Sequence, residues 1–301
     1  MKTTIREDRF IIESESLRLE LEMARVDSLL LHERTLPHVA SKLILEFKDL
    51  VNLENPIIIE RNNIVLDGNH RVHVFEELQL RHIPVCRIDY LDQNAKLRYW
   101  FRLLRNVVDL EVIKRAVRAL RGTFREVRDK EALERVMAEQ CYCCGIQQGG
   151  FFAVVCFSGE VVRDAVTAYD VLEKFQDRLI KEGTSVDYIP CQYAQDQGFC
   201  ECLKEREVIL WTPQITKEMV IDAAKKEKLF APKSTRHLIP VRPVNLNFPA
   251  RLLKEDVSLE EINHRFLQFL EAKEVKRLPP GQVINGRYYE EELFVFLDRK
   301  R

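Results

Sequence analysis

The chain lacks a large net charge of either sign: 47 Lys and Arg stand against 48 Asp and Glu over 301 residues, a formal charge of -1. No global basic field draws it to nucleic acid or to an anionic membrane, which leaves only local patches to consider. Long apolar runs are missing too. The opening "MKTTIREDRFIIESESLRLE" has no apolar core of signal-peptide length, and nowhere do about 18 apolar residues run together. The expectation is a soluble, cytoplasmic protein with neither a membrane nor a nucleic-acid partner.

Several chemical signatures are absent as well. No G-x-x-x-x-G-K-[ST] occurs, which argues against a P-loop kinase or ATPase. The run "GIQQGG" from Gly145 precedes a strand instead of opening a helix, so it is no dinucleotide fingerprint. His32 and His38 do not form H-E-x-x-H, and His82 in "LRHIPV" reads as an ordinary turn histidine. Eight cysteines are present, grouped as Cys141/Cys143/Cys144 and Cys200/Cys202 with Cys86, Cys156 and Cys191 elsewhere. These groups do not make up the two C-x-x-C pairs of a zinc ribbon, so reduced thiols in a cytosolic core are the expected state.

With 46% hydrophobic content the chain has enough apolar material for two medium domains. "LRLELEM" alternates like a half-buried strand, and "HVASKLILEFKDL" reads as an amphipathic helix after Pro37. "PIIIE" and "IVL" are strands around the polar turn "ERNN", followed by a helix in "HRVHVFEELQL" and a strand in "IPVCRIDY". From "DQNAKLRYWFRLL" through "VMAEQ" the pattern reads as helical and charged. Beyond Gly149 the elements alternate again: strands in "GFFAVVCF", "SVDYIP" and "EVILWTP", helices ended by Gly183 and capped by Thr216, then one long strand "HLIPVRPVNLNFP". A hairpin around Asn285-Gly286 closes the chain. The fold class expected is mixed α/β (α+β). Its divisions are an extension over 1–15, a first domain over 16–92, a helical connector over 93–140 and a second α/β domain over 141–301.

Three polar stretches carry the chemistry. "VLDGNHRVHVF" places Asp67, Gly68 and Asn69 at a helix N-terminus, where unpaired N–H groups and the helix dipole favour an anion. Taken alone these are ordinary capping and turn residues. His70 and Arg71 follow in the first turn, where cations oppose the dipole unless something negative offsets them, a protein carboxylate or a bound phosphate. In "LLHERT", Glu33 by itself reads as a surface carboxylate. In "PKSTRHLIP", Lys233 to His237 supply five donors before an apolar run, a composition suited either to an anion or simply to water.

Together with "LEMARVDSLLLHERT", Trp100 in "LRYWF" and "KSTRHLIPVRPVNLNFPARLL", these stretches resemble the free L-serine kinases. That family comprises archaeal ADP-dependent enzymes and the bacterial kinase of the staphyloferrin B siderophore pathway. The resemblance covers roughly residues 20 to 270. It implies a ParB/sulfiredoxin-like nucleotide-binding domain followed by a substrate-closing domain, and a kinase that makes O-phospho-L-serine for cysteine or siderophore precursors. By the same resemblance Glu33 is the general base, and Asp67, His70 and Arg71 complete the catalytic set. Gly68 and Asn69, with His70 and Arg71, bind the nucleotide phosphate, Asp67 carries Mg²⁺, and ADP or ATP is the donor. Trp100, Thr235, Arg236 and His237 bind free serine. The residues before about 15 and the cysteine groups have no counterpart in this resemblance.

The chemistry suits these residue types, because phosphoryl transfer needs positioning, charge neutralisation and a carboxylate for the hydroxyl proton. Three other readings remain. A sulfiredoxin-type reductase would need a nucleophilic Cys beside "DGNHR", which has none. A ParB-like DNA- or nucleotide-binding regulator should carry a basic face. A kinase-derived redox or haem sensor would act through its cysteines.

Overall fold

The computed structural model describes residues 2–299. The chain divides into two compact units, Met1–Lys96 with His237–Arg301, and Leu97–Arg236. This departs from the serial division into 16–92, 93–140 and 141–301.

The first unit is built on a six-stranded sheet in the order Lys2–Arg6, Arg9–Glu13, Arg18–Arg25, His82–Arg87, Ile57–Ile59, Val65–Asp67. Ile57–Ile59 runs parallel to His82–Arg87 and the other neighbours are antiparallel. The N-terminal stretch is thus two edge strands of this sheet. Ile11 and Ile12 are buried, and the Phe10 ring lies 5.7 Å from that of Phe296. The "ERNN" turn forms because the buried Glu60 carboxylate accepts from the Asn62 and Ile64 amides, while Asn63 takes a left-handed φ of 65°.

Helix α1 (Pro37–Lys48) starts with proline in its first turn, where the missing N–H costs nothing. Helix α2 (Asn69–Glu77) turns Val72, Val74 and Phe75 inward, all at 0% exposure. Phe75 meets Phe47 of α1 edge-on at 5.4 Å. Burial of a side chain of that size contributes roughly 1.5–3 kcal/mol, so α2 is anchored by its core face although its amphipathic pattern is short.

The stretch from His237 completes this unit, which is why the serial division fails. Val241–Val244 pairs in parallel with Glu292–Asp298, and Lys273–Leu278 pairs antiparallel on its other side. Leu246 N–H donates to Glu54 O at 2.7 Å, and Phe248–Pro249 pairs with Asn52–Leu53. The single strand expected over "HLIPVRPVNLNFP" is therefore broken. Pro240 and Pro243 remove ladder donors, and Asn245 and Asn247 take left-handed φ of 61° and 55°. The final hairpin does form around Asn285-Gly286, both residues at positive φ as a type I′ turn requires.

The second unit is a six-stranded antiparallel sheet ordered Gly122–Val127, Phe151–Phe157, Cys144–Gln148, Val208–Trp211, Trp100–Arg105, Ser185–Pro190. Helices Leu110–Ala119 and Ala165–Lys181 cover the face bearing Leu104, Ile146 and Leu210. Helix Lys130–Glu139 covers the face bearing Leu103, Val154 and Ile209. The helical connector expected over 93–140 is corrected accordingly, since it supplies two of these strands. "WFRLLR" is buried on both faces, and a strand buried twice loses the alternation by which it would be read. Asp164 caps Ala165–Lys181 through a reciprocal box with Thr167, and Thr216 caps Lys217–Lys225.

Cys143 and Cys156 form a disulfide, correcting the expectation of thiols throughout. The antiparallel pair Cys144↔Val155 puts the two cysteines across adjacent strands with Cα atoms 4.6 Å apart, within bridging range. Burial pushes the free thiols of Cys86 and Cys144 up to about 12, so both are unreactive core residues.

Candidate active site

Strand Val65–Asp67 passes into α2 through Gly68, whose φ is +113°. A Cβ at this position would lie 2.6 Å from Ile57 Cδ1 and 3.1 Å from Arg71 Nη2. Glycine is required here by the backbone itself. Gly68 is the N-cap and no side chain caps the helix, so Asp67 and Asn69 are not the ordinary capping residues their types suggest. The Asn69 Oδ1 atom is buried with no hydrogen-bond partner among the described residues. A buried acceptor left unmatched costs about 1–3 kcal/mol, which a ligand donor would recover.

His70 and Arg71 hold their surroundings. His70 Nε2 accepts the Leu36 N–H at 3.0 Å, which makes the ring neutral with its proton on Nδ1 and ties the start of α1 to the start of α2. Arg71 Nη1 donates to the carbonyls of Asn55 at 2.7 Å and Pro56 at 3.2 Å. Asp67 is held by two guanidiniums: Arg242 donates to its Oδ2, and Arg71 Nη2 lies 3.8 Å away. Arg242 in turn pairs with Glu291. Burial alone would raise the Asp67 carboxyl, but the Arg242 charge and then that of Arg71 hold it well below the usual carboxylate range.

Glu33 reaches this neighbourhood by strand pairing. Leu30 and Ile64 form a parallel bridge, and Val65 N–H donates to Leu30 O at 2.9 Å. Past that isolated bridge the two segments run on to Glu33 and Asp67. Between them, His32 Nδ1 donates to Val65 O at 2.6 Å. His32 is 1% exposed, and burial lowers its pKa despite Glu33 and the Val65 carbonyl. A neutral ring protonated on Nδ1 can only accept at Nε2. His237 Nε2 lies 3.3 Å from that atom and so acts as donor, with the two rings edge-on at 5.0 Å. His237 also meets the Tyr90 ring at 5.3 Å. The first unit thus gathers Glu33, Asp67, Gly68, Asn69, His70, Arg71 and His237.

Trp100, Thr235 and Arg236 belong to the second unit. Arg236 Cζ and Lys233 Nζ lie 5.4 Å and 5.1 Å from the Trp100 ring centroid, a cation–π arrangement. Arg236 also donates to Gln192 Oε1 at 3.2 Å. Thr235 is buried beside Ser234, whose carbonyl accepts the Tyr169 hydroxyl at 3.1 Å. Buried Arg102 donates to the Lys233 carbonyl at 3.1 Å and to the Trp100 carbonyl, linking the loop to the strand.

Among the described residues no group of three or more His, Cys, Asp or Glu is placed to hold a metal ion. Asp67 is a lone carboxylate with one oxygen engaged by Arg242. That donor set suits Mg²⁺ only in the way Mg²⁺ commonly binds, through one or two carboxylates with nucleotide phosphates completing the shell.

Sequence reasoning missed Arg242, Glu291, His32 and Arg102. Arg242 had a visible signal: a cation inside the apolar "PVRPV" run must find an anion if it is buried. The others announce nothing until their partners are in place.

No family model matches the chain. It is 25% identical over 243 residues, 76% of this chain and 89% of the relative, to an ATP-dependent L-serine kinase of Staphylothermus marinus. It is 22% identical over 199 residues, 66% and 73% of the two chains, to the ADP-dependent L-serine kinase SerK of Thermococcus kodakarensis. Among solved structures it superposes on C-terminally truncated SbnI from Staphylococcus aureus with a TM-score of 0.63 at 22% identity, covering 83% and 95%. A free serine kinase in complex with AMP matches with a TM-score of 0.60 at 17% identity, covering 77% and 93%. The mixed α/β fold is the one these proteins share.

Proposed function

We propose that this chain, a homologue of the archaeal L-serine kinases, transfers a phosphoryl group from ATP or ADP to the hydroxyl of free L-serine. The observation that carries the reading is the start of α2, a helix N-terminus capped by no side chain, with a buried unmatched acceptor on Asn69.

The uncapped amides after Gly68 receive a nucleotide phosphate, and Asn69 Oδ1 takes a donor from the same ligand. Glu33 accepts the proton of the serine hydroxyl as its oxygen attacks the terminal phosphorus. The bond to the nucleotide breaks, and ADP leaves from ATP or AMP from ADP. His32, by fixing His237, and His70, by fixing the chain at Leu36, are positioning residues. His70 accepts the Leu36 N–H at Nε2, and Arg71 acts through Asp67 and the Asn55–Pro56 carbonyls. Mg²⁺, bound through Asp67 and the phosphates, would neutralise charge on the transferring group. Trp100, Thr235, Arg236 and His237 take the amino acid, Arg236 being suited to its carboxylate. The product is an activated serine, since phosphate is a far better leaving group than hydroxide.

The test is substrate selectivity. Nucleotide consumption should require L-serine with a free carboxylate and amine. Equal consumption with N-acetyl-serine amide would contradict a free-serine site.

A further inference from the structure

The C-terminal hairpin, Gln282–Ile284 paired with Arg287–Tyr289, has two faces set by the alternation of side chains along a strand. Val283 and Tyr288 stand opposite each other on the outer face, 66% and 61% exposed. Tyr289, on the inner face, is 4% exposed and packs with Val244, Leu293 and Val295. Arg287 lies two residues before Tyr289 and so shares that inner face, yet it stays exposed, with its Cζ 4.7 Å from the centroid of the Tyr289 ring. The Gly281 N–H donates to Tyr289 O at 2.9 Å, which together with the Asn285-Gly286 turn fixes the register of the hairpin.

Val244 belongs to strand Val241–Val244, and Arg242 stands two residues before it on the same strand face. Arg242 is the residue that donates to Asp67 Oδ2. Packing of Tyr289 on Val244 therefore brings Arg287 to the carboxylate that Arg242 and Arg71 already hold. The electrostatics agree with this placement. Burial raises the Asp67 carboxyl, and the charges of Arg242, Arg71 and then Arg287 lower it. Burial also lowers the Arg71 pKa; Asp67 opposes that, and the charges of Arg242 and Arg287 add to it. Arg242 engages both Asp67 and Glu291, and Arg71 is committed to Asp67 and to the Asn55 and Pro56 carbonyls. Arg287 has no ion-pair partner among the described residues. Three guanidiniums so gathered repel one another unless an anion joins them, and the fork of an arginine matches a phosphate at two points.

We propose that Arg287 is a further phosphate-binding residue of the nucleotide site, pairing with the phosphate chain that lies over Asp67 and the start of α2. The inference rests on the nucleotide site put forward above and adds to it a ligand-contacting residue from outside the stretch that resembles the serine kinases. Ionised Asp67 repels a phosphate, and the cations nearest to it are spent on holding it. The incoming charge needs a cation of its own, which the hairpin supplies from the solvent side. Because Arg287 pairs with phosphate charge, it serves ATP and ADP alike.

Calorimetric titration of the full chain with ATP and with ADP tests this. Arg287→Ala should weaken both about tenfold to a hundredfold, the usual worth of a hydrogen bond between charged groups. Thermal unfolding should not change, because the side chain is exposed. Arg287→Lys keeps a cation over the Tyr289 ring and should lose less. Lys276→Ala removes one charge from an exposed position on strand Lys273–Leu278 of the same unit and should bind as the parent does. Parental affinity for both nucleotides in Arg287→Ala, an equal loss in Lys276→Ala, or a parent that binds neither nucleotide would overturn the assignment. The kinase reading fails differently: a parent that binds nucleotide through Arg287 but makes no O-phospho-L-serine contradicts that reading and leaves the role of Arg287 standing.

Discussion

Arg242 Nη1 donates to Asp67 Oδ2 across 175 residues of sequence, and the same guanidinium pairs with Glu291. The carboxylate that leads into the Gly68 turn is therefore oriented by the C-terminal part of the chain. This is why the turn and the "VRPV" strand belong to one folding unit.

Arg242→Met should destabilise the protein by about 2–4 kcal/mol, below the most buried pairs because about a third of the Asp67 side chain meets water. The pH dependence carries the signature. In the parent the folded pKa of Asp67 is depressed, so its stabilisation is present above the unfolded value near 3.9 and is lost only in stronger acid. Without Arg242, only Arg71 and Arg287 oppose the effect of burial, so the folded pKa of Asp67 lies above the parent's and the gap to the parent should shrink as pH falls through that raised value. Denaturant midpoints across a series from neutral to acid pH read this, and a constant gap would leave the pair without an electrostatic role.

Gly68→Ala should cost about 1–3 kcal/mol from the left-handed backbone alone, with further loss from the contact on Ile57 Cδ1. Adding Ile57→Val removes that atom and should restore part of the stability, leaving the φ penalty. Thermal unfolding of both variants decides the matter. Full restoration would mean that the backbone is not strained. A larger residue at 68 consequently tests the fold before it tests phosphate approach.

Glu33→Gln should bind nucleotide like the parent while turnover falls about a hundred- to ten-thousand-fold, the usual loss when a general base is removed. Nucleotide titration and the rate of serine phosphorylation are measured side by side. Near-parental turnover would reassign the proton acceptor.

Arg236→Lys should raise the serine KM about tenfold, because a lysine cannot give a two-point carboxylate contact, and it weakens the stacking on Trp100. The nucleotide KM should barely move. An equal rise in both would place Arg236 on the nucleotide.

The strand–turn–helix around Asp-Gly-Asn was legible because its signals are local and fall within a dozen residues. Helices with side-chain caps, such as those begun by Thr216 and Asp164, rest on the same kind of short-range chemistry. What eluded sequence reasoning was long-range. The return of His237 onward to the first unit depends on pairing between segments far apart in the chain, and the Trp100 strand, apolar on both faces, has no period that separates it from a helix. Asp67 illustrates both limits. Its place before α2 follows from the turn, whereas its partner Arg242 becomes visible only once the two strands carrying them are folded into one unit.

Phosphorus NMR of the protein incubated with free L-serine, Mg²⁺ and either ATP or ADP tests the kinase reading most directly. The reading predicts a phosphomonoester resonance of O-phospho-L-serine growing in step with loss of the donor's terminal phosphate, with at least one of the two nucleotides, and its absence with Glu33→Gln on the same time scale. Donor loss that yields only inorganic phosphate, or no reaction with either nucleotide, would contradict it.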